Sequence, residues 1–223
     1  MECSSISPSK SLFRIEAMFK KGSLLILSGP SGAGKSTLIQ TVLEKEENVY
    51  FSISTTTRPK RPGEVEGKDY YFVSKEEFEK DIEEGMFLEW ANVHGNYYGT
   101  SLRPVLKALD EGKLVLFDID VQGFESIKRS DLAPLATSVF VTTPSMSELE
   151  HRLQMRGTDT PETIAKRLQN AIEEMAYMKE YDFILINSEL SRSKEQILAV
   201  AKAARLKRDP KEVEEFVGYW KTH

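Results

Sequence analysis

The stretch Gly29-Pro30-Ser31-Gly32-Ala33-Gly34-Lys35-Ser36 constrains this chain more than any other. It follows an apolar run, Leu24-Leu25-Ile26-Leu27, and opens a segment in which Leu38, Ile39, Val42 and Leu43 fall on one helical face. Strand, glycine loop and helix are the context in which the pattern G-x-x-x-x-G-K-[ST] carries meaning. The glycines let successive N–H groups turn inward on a phosphate, and the helix N-terminus adds partial positive charge. In that arrangement Lys35 reaches the β- and γ-phosphates and the Ser36 hydroxyl ligates Mg²⁺. The other reading is a glycine-rich turn with no ligand. Because pattern and context agree, the stretch is read as a nucleoside triphosphate site.

A chain of 223 residues accommodates one large α/β domain with excursions, or two small ones. Its apolar fraction of 40% and charged fraction of 29% read as globular and soluble. A net charge of −5 argues against a nucleic-acid polymer as partner. The single cysteine, Cys3, excludes an intrachain disulfide and favours a reducing, cytoplasmic setting. No apolar run approaches the ~20 residues of a membrane span. Residues 1–21 are expected to form a disordered extension: they lack the apolar core of a secretory signal, and Met18 is an alternative start.

Strands are expected at Leu24–Ser28, Val49–Ile53, Leu114–Asp118, Ser138–Thr142 and Phe183–Asn187, with helices between them. Continuous apolar strands alternating with helices predict a mostly parallel sheet covered on both faces. Ser54 to Gly63 reads as a basic, proline-punctuated loop, and 68–100 as an inserted α+β excursion. Within it, Ser74 with Glu77 predicts a capped helix, and Phe87–Ala91 with Gly95–Gly99 predicts a hairpin. Further helices are predicted at Pro104–Glu111, Ser145–Met155 and Pro161–Glu180. The last helix has Asp209 as N-cap and Pro210 in first position.

Three features narrow the chemistry. Asp118 and Asp120 follow a buried-type strand, where an acid holds the Mg²⁺ shell or, alternatively, caps the next helix. Arg58 and Arg61, with hydroxyls from Tyr70 and Tyr98, make a second anion site, or a solvated basic loop. Arg152 and Arg156 share one helix face, either as lid arginines with Arg167 or as partners of Glu148 and Glu150. His94, His151 and His223 show no metal-ligand spacing.

Ser28 to Thr37, Ser54 to Glu64, Gly95-Asn96-Tyr97-Tyr98-Gly99-Thr100 and Asp118-Ile119-Asp120-Val121-Gln122-Gly123 together resemble guanylate kinase, in that family's order and spacing. Phe87-Leu88-Glu89-Trp90 and Arg152 to Gly157 resemble its remaining motifs, so the likeness runs from about Gly22 to Arg205. The resemblance implies a P-loop-type parallel sheet flanked by helices, and Mg²⁺-dependent transfer of the ATP γ-phosphoryl group to GMP. It implies a core of 22–53, 101–144 and 171–207, a GMP-binding domain of 54–100, a lid of 145–170, and a C-terminal helix in 208–223. It assigns Gly29 to Thr37 and Asn187 to ATP, and Ser36 with Asp118, through water, to the metal. Ser54, Glu89, Thr100 and Asp120 match contacts to guanine; Arg58, Arg61, Tyr70 and Tyr98 match those to the GMP phosphate, and Asp118 lies near both metal and GMP. Lys35, Arg58, Arg152, Arg156 and Arg167 match the catalytic cations.

A carboxylate at Glu89 suits guanine, whose N1–H and N2 amino group both donate, whereas adenine presents a lone pair at N1. After the last strand the chain has Asn187-Ser188-Glu189 where the family commonly has asparagine and two aspartates, which leaves ATP against other triphosphates open. The alternative function is a catalytically silent interaction module of the same fold; such modules typically lose the loop lysine or lid arginines, which this chain keeps. A GTPase switch lacks its N-K-x-D motif here.

Overall fold

The computed structural model describes residues 19–93, 95–157 and 159–222. Most of the expected N-terminal extension, with Cys3, lies outside the described residues, as do His94, Thr158 and His223.

The centre is β1 (Ser23–Ser28), buried at every position. Its four central residues are apolar, so both faces can be covered. Leu24 and Ile26 pack with Phe117 and Phe140 on one side, while Leu25 and Leu27 pack with Leu116 and Val141 on the other. Around it stand β2 (Val49–Phe51), β7 (Leu114–Asp118), β8 (Ala136–Thr142) and β9 (Phe183–Ile186). They form a parallel five-stranded sheet in the order β2-β7-β1-β8-β9. The strand order reverses beside β1, so the crevice beyond the strands' carboxyl ends lies where open α/β sheets bind ligands. Register sets Leu27 beside Asp118, which brings the glycine loop and the acid to the same end.

Helix α1 (Lys35–Lys45) leaves the loop, burying Leu38, Ile39 and Val42. A smaller sheet, ordered β4-β3-β6-β5, comprises β3 (Thr55–Thr56), β4 (Tyr71–Phe72), β5 (Phe87–Val93) and β6 (Asn96–Ser101). Helix α2 (Lys75–Glu83) begins at the predicted capping box. It drives Phe78 between Phe87 and Tyr97, with ring centroids 4.1 and 5.1 Å away. The chain continues through α3 (Leu102–Asp110), α4 (Val121–Lys128), α5 (Met146–Met155), α6 (Pro161–Met175), α7 (Leu190–Ala204) and α8 (Pro210–Thr222).

Three expectations are corrected. Thr55 and Thr56 are strand rather than loop, pairing with Gly99 and Tyr98 and, on the other side, with Tyr71 and Phe72. The span of helix α4 was not predicted, although the alternative reading of Asp120 as the cap of a following helix holds: it accepts hydrogen bonds from the N–H groups of Gln122 and Gly123. The helix expected to reach Glu180 ends at Met175, and a 3-10 turn at Met178–Glu180 leads into β9.

Candidate functional site

The loop between β1 and α1 is held by backbone geometry that side chains would spoil. Gly29 has φ +126°, and a Cβ there would meet the Val141 carbonyl oxygen at 2.0 Å. Gly34 has φ +96°, and its Cβ would stand 2.3 Å from the Asn187 amide nitrogen. That Asn187 side chain is buried and donates to the Ala33 carbonyl at 2.9 Å, so the end of β9 braces the loop. The Lys35 ammonium donates to the carbonyls of Gly29 at 2.5 Å and Pro30 at 3.3 Å.

A cavity of about 380 Å³ opens above the loop. Gly29, Lys35 and Ser36 line it with Asp118, Asp120, Arg156 and Glu174. Burial lowers the pKa of Lys35, opposed by the charges of Asp118 and Glu174. Burial raises that of Asp118, opposed by Lys35. The cavity therefore holds a partly buried ammonium facing carboxylates, an arrangement in which charge interactions are stronger than in bulk water. A second cavity, about 280 Å³, is lined by Gly32, Gly34, Thr37, Arg152, Arg156, Asn187, Ser188 and Leu190. Gly32, Gly34 and Arg156 line both, so the two spaces meet across the loop.

The arginines of α5 and α6 bracket this region. Arg152 donates to the Glu148 carboxylate at 2.7 Å and to the Asn187 carbonyl at 2.8 Å. Arg167 donates to the Ser31 hydroxyl at 2.5 Å and pairs with Asp159 at 3.1 Å. Arg156 projects into the cavities and makes no ion pair among the described residues. Of the two sequence readings of Arg152, the pairing with Glu148 is the one observed; its side chain also lines the cavity beside the phosphate loop.

The small sheet carries the second set. Thr100 Oγ1 donates to Glu89 at 3.4 Å, a long bond, across the β5–β6 pair. Burial and the nearby Asp120 raise the Glu89 pKa. A Cβ on Gly123 would stand 3.4 Å from the Glu89 carboxylate, so the start of α4 abuts it. Glu89, Thr100 and Asp120 are thereby brought together from three elements, while Ser54 lies exposed beside β3. Arg58 pairs with Glu64 at 2.7 Å and lies 5.6 Å from the Tyr70 ring centroid. The Tyr70 and Tyr98 rings meet edge-on at 6.0 Å. Glu64 also accepts from the Arg61 backbone N–H at 2.8 Å. Arg58, Arg61, Tyr70 and Tyr98 do not line the phosphate cavity.

Glu174 escaped the sequence reading. It follows Arg167 by seven residues, two helical turns, which is the signal that would have put both on one face of α6. Amid Glu162, Lys166 and Glu173 it reads as one more surface charge.

A hard cation suits the oxygen donors present: the Ser36 hydroxyl and Asp118 carboxylate line one cavity. No cluster of three or more His, Cys, Asp or Glu suited to a metal occurs among the described residues, so phosphate oxygens and water would complete the shell. No helix among them is long and apolar enough to cross a membrane.

Comparison with known proteins agrees with this geometry. The guanylate kinase family matches residues 21–204. A guanylate kinase of Wolinella succinogenes is 54% identical over 202 residues, 91% of this chain and 94% of that protein. One from Helicobacter pylori is 58% identical over 179 residues, 80% of this chain and 86% of its own length. Among solved structures, guanylate kinase from Anaplasma phagocytophilum superposes with a TM-score of 0.62 at 32% identity, covering 85% of this chain and 89% of that one. Matched by the family over residues 21–204 and more than half identical to a guanylate kinase along nearly all of that protein's length, the chain belongs to the guanylate kinase family.

Proposed function

We propose that this protein transfers the γ-phosphoryl group of ATP to GMP, giving ADP and GDP. The observation that carries the reading is the meeting of two sets: the phosphate loop with Lys35 and Asp118, and the Glu89–Thr100–Asp120 group beside it, with Asp120 common to both.

The donor triphosphate lies along Gly29 to Thr37, with Lys35 and the loop amides on its β- and γ-phosphates. Its base end extends through the second cavity toward Asn187. The acceptor's guanine meets Glu89, Thr100, Ser54 and Asp120. Arg58, Arg61, Tyr70 and Tyr98 hold its phosphate, Arg58 exchanging Glu64 for a phosphate oxygen. An oxygen of that phosphate attacks the γ-phosphorus, and the bond to the β–γ bridging oxygen breaks, its electron pair leaving on ADP. The nucleophile is already an anionic oxygen, so the chain supplies charge and alignment rather than a strong base. Arg156, with Arg152 and Arg167, neutralises the transferring group. Ser36 and, through water, Asp118 would hold Mg²⁺, which when bound neutralises the β- and γ-phosphates.

We assign 54–100 as the acceptor domain, 145–170 as the lid and the remaining parallel sheet as the core, with closure on binding to exclude water. A coupled assay for ADP release with GMP, AMP, UMP and CMP tests the reading. Turnover with GMP far above the others is expected; equal rates with AMP and GMP would overturn the guanine assignment.

A further inference from the structure

Arg167 reaches the phosphate loop from a turn that the sequence fixes closely. Gly157 takes φ +65°, which reverses the chain after α5. Pro161 confines Thr160 to extended backbone, and the Thr160 hydroxyl caps α6 by accepting from the Thr163 N–H. Asp159 is thereby set just ahead of the helix. Side chains on a helix lean toward its N-terminus, so Arg167, about 9 Å along the axis from Pro161, extends back to meet it.

The guanidinium is held from two sides. Nη1 donates to the Ser31 hydroxyl at 2.5 Å, and Nη2 to Asp159 Oδ1 at 3.1 Å. The two anchors are unlike. Ser31 offers a neutral oxygen on the loop that cradles the donor phosphates, and a phosphate oxygen can take its place. Asp159 offers a charge, on a side chain that is only 9% exposed. Its second oxygen, Oδ2, is buried and has no hydrogen-bond partner among the described residues. A buried carboxylate oxygen left unpaired is costly. A second N–H from the same guanidinium would satisfy it, in the side-by-side geometry that arginine and carboxylate favour. With Arg167 itself 35% exposed, the pair adds little stability, so its consequence is where it puts the guanidinium.

We propose that Asp159 is a positioning residue for phosphoryl transfer. It keeps hold of Arg167 when the donor phosphates displace Ser31, and its free oxygen then takes a second N–H. The guanidinium thus turns onto the γ-phosphoryl group without being lost to solvent. This assignment rests on the phosphoryl-transfer reading of the site. The carboxylate touches neither substrate. Its negative charge offsets part of the attraction between Arg167 and a bound triphosphate, so it contributes alignment at the transition state rather than affinity.

Asp159→Ala should lower kcat by about 10- to 100-fold and leave the KM for ATP unchanged or lower. Asp159→Glu, which restores a carboxylate, should recover most of that loss. Asp159→Asn, which keeps the shape but not the charge, should not. On an Arg167→Ala background, Asp159→Ala should cost less than about threefold more, because the residue it acts through is gone. A readout independent of turnover comes from the guanidinium itself. In heteronuclear NMR spectra of the full chain, the Arg167 side-chain N–H signals should be resolved and slow to exchange, and Asp159→Ala should abolish that. An undiminished effect of Asp159→Ala on the Arg167→Ala background overturns the proposal. So does a loss of kcat matched by a rise in KM and a lower melting temperature that glutamate does not repair. So do Arg167 signals that ignore Asp159. Absence of GMP turnover by the unmutated chain would instead strike the proposed function, and the Arg167 signals would still decide whether Asp159 holds the arginine.

Discussion

The two sheets solve different problems. In the parallel sheet, β1 and the first four residues of β7 are wholly buried, and the loop that follows β1 is fixed against the Val141 main chain and the Asn187 side-chain amide. In the small sheet, β5 is exposed from Glu89 to its end where described, and the apolar centre is a single aromatic stack around Phe78. One region grips with backbone on a rigid frame; the other grips with side chains on a thin one. A phosphate loop must be in place before its ligand arrives, because amides reorganised on binding would lose much of their electrostatic value. A base-reading site gains by adapting, and a thin sheet with few buried groups moves at little cost.

The comparison can be broken by experiment. The largest effect is expected from Lys35→Ala, which should lower kcat by roughly 100- to 1,000-fold while leaving GMP affinity nearly unchanged. Steady-state rates and calorimetric GMP binding check this; equal losses in both would mean that the two regions are not separable. Next, Phe78→Ala should cost ~3–5 kcal/mol in the small sheet, lowering the melting temperature and raising KM for GMP more than for ATP. Equal rises in both KM values would show that the small sheet does not stand apart.

Glu89→Gln should follow, since an amide cannot accept from both guanine donors; at ~1.5–3 kcal/mol, GMP kcat/KM falls roughly 10- to 150-fold. The pH dependence sharpens it. Burial and Asp120 raise the Glu89 pKa above its ordinary 4.5, and only the ionised carboxylate accepts both guanine donors. GMP affinity should therefore be full at neutral pH and fall as acid protonates Glu89, beginning above the usual carboxylate range, with Glu89→Gln flat over that interval. For stability the sign is opposite: a raised carboxyl pKa favours the fold below the unfolded pKa, and that contribution is lost as pH rises through the folded one. The smallest effect is expected from Ser31→Ala, which removes one exposed hydrogen bond to Arg167 and should change kcat less than about fivefold.

What the sequence made legible follows the same division. The core strands were readable because their apolar runs are bounded by glycines and polar turns, and the glycine loop because its pattern is local. Thr55–Thr56 was not, because two polar residues become a strand only through partners such as Tyr98 and Gly99, some forty residues on. The span of helix α4 was missed for a different reason: it is eight residues long and contains Gly123, so helical periodicity barely registers beyond the capping acid. Of the site, residues joined by contiguous motifs were legible, whereas Glu174 needed the packing of α6 against the loop to matter.

Asn187 has a consequence of its own. Its amide steadies the loop at Ala33, while its main-chain oxygen receives the Arg152 guanidinium. The first attachment depends on which residue stands there; the second does not, since every amino acid supplies a carbonyl. Replacing Asn187 would loosen the loop yet leave the arginine its parking place, so the resting posture of that helix is written into the course of the chain rather than into any one side chain.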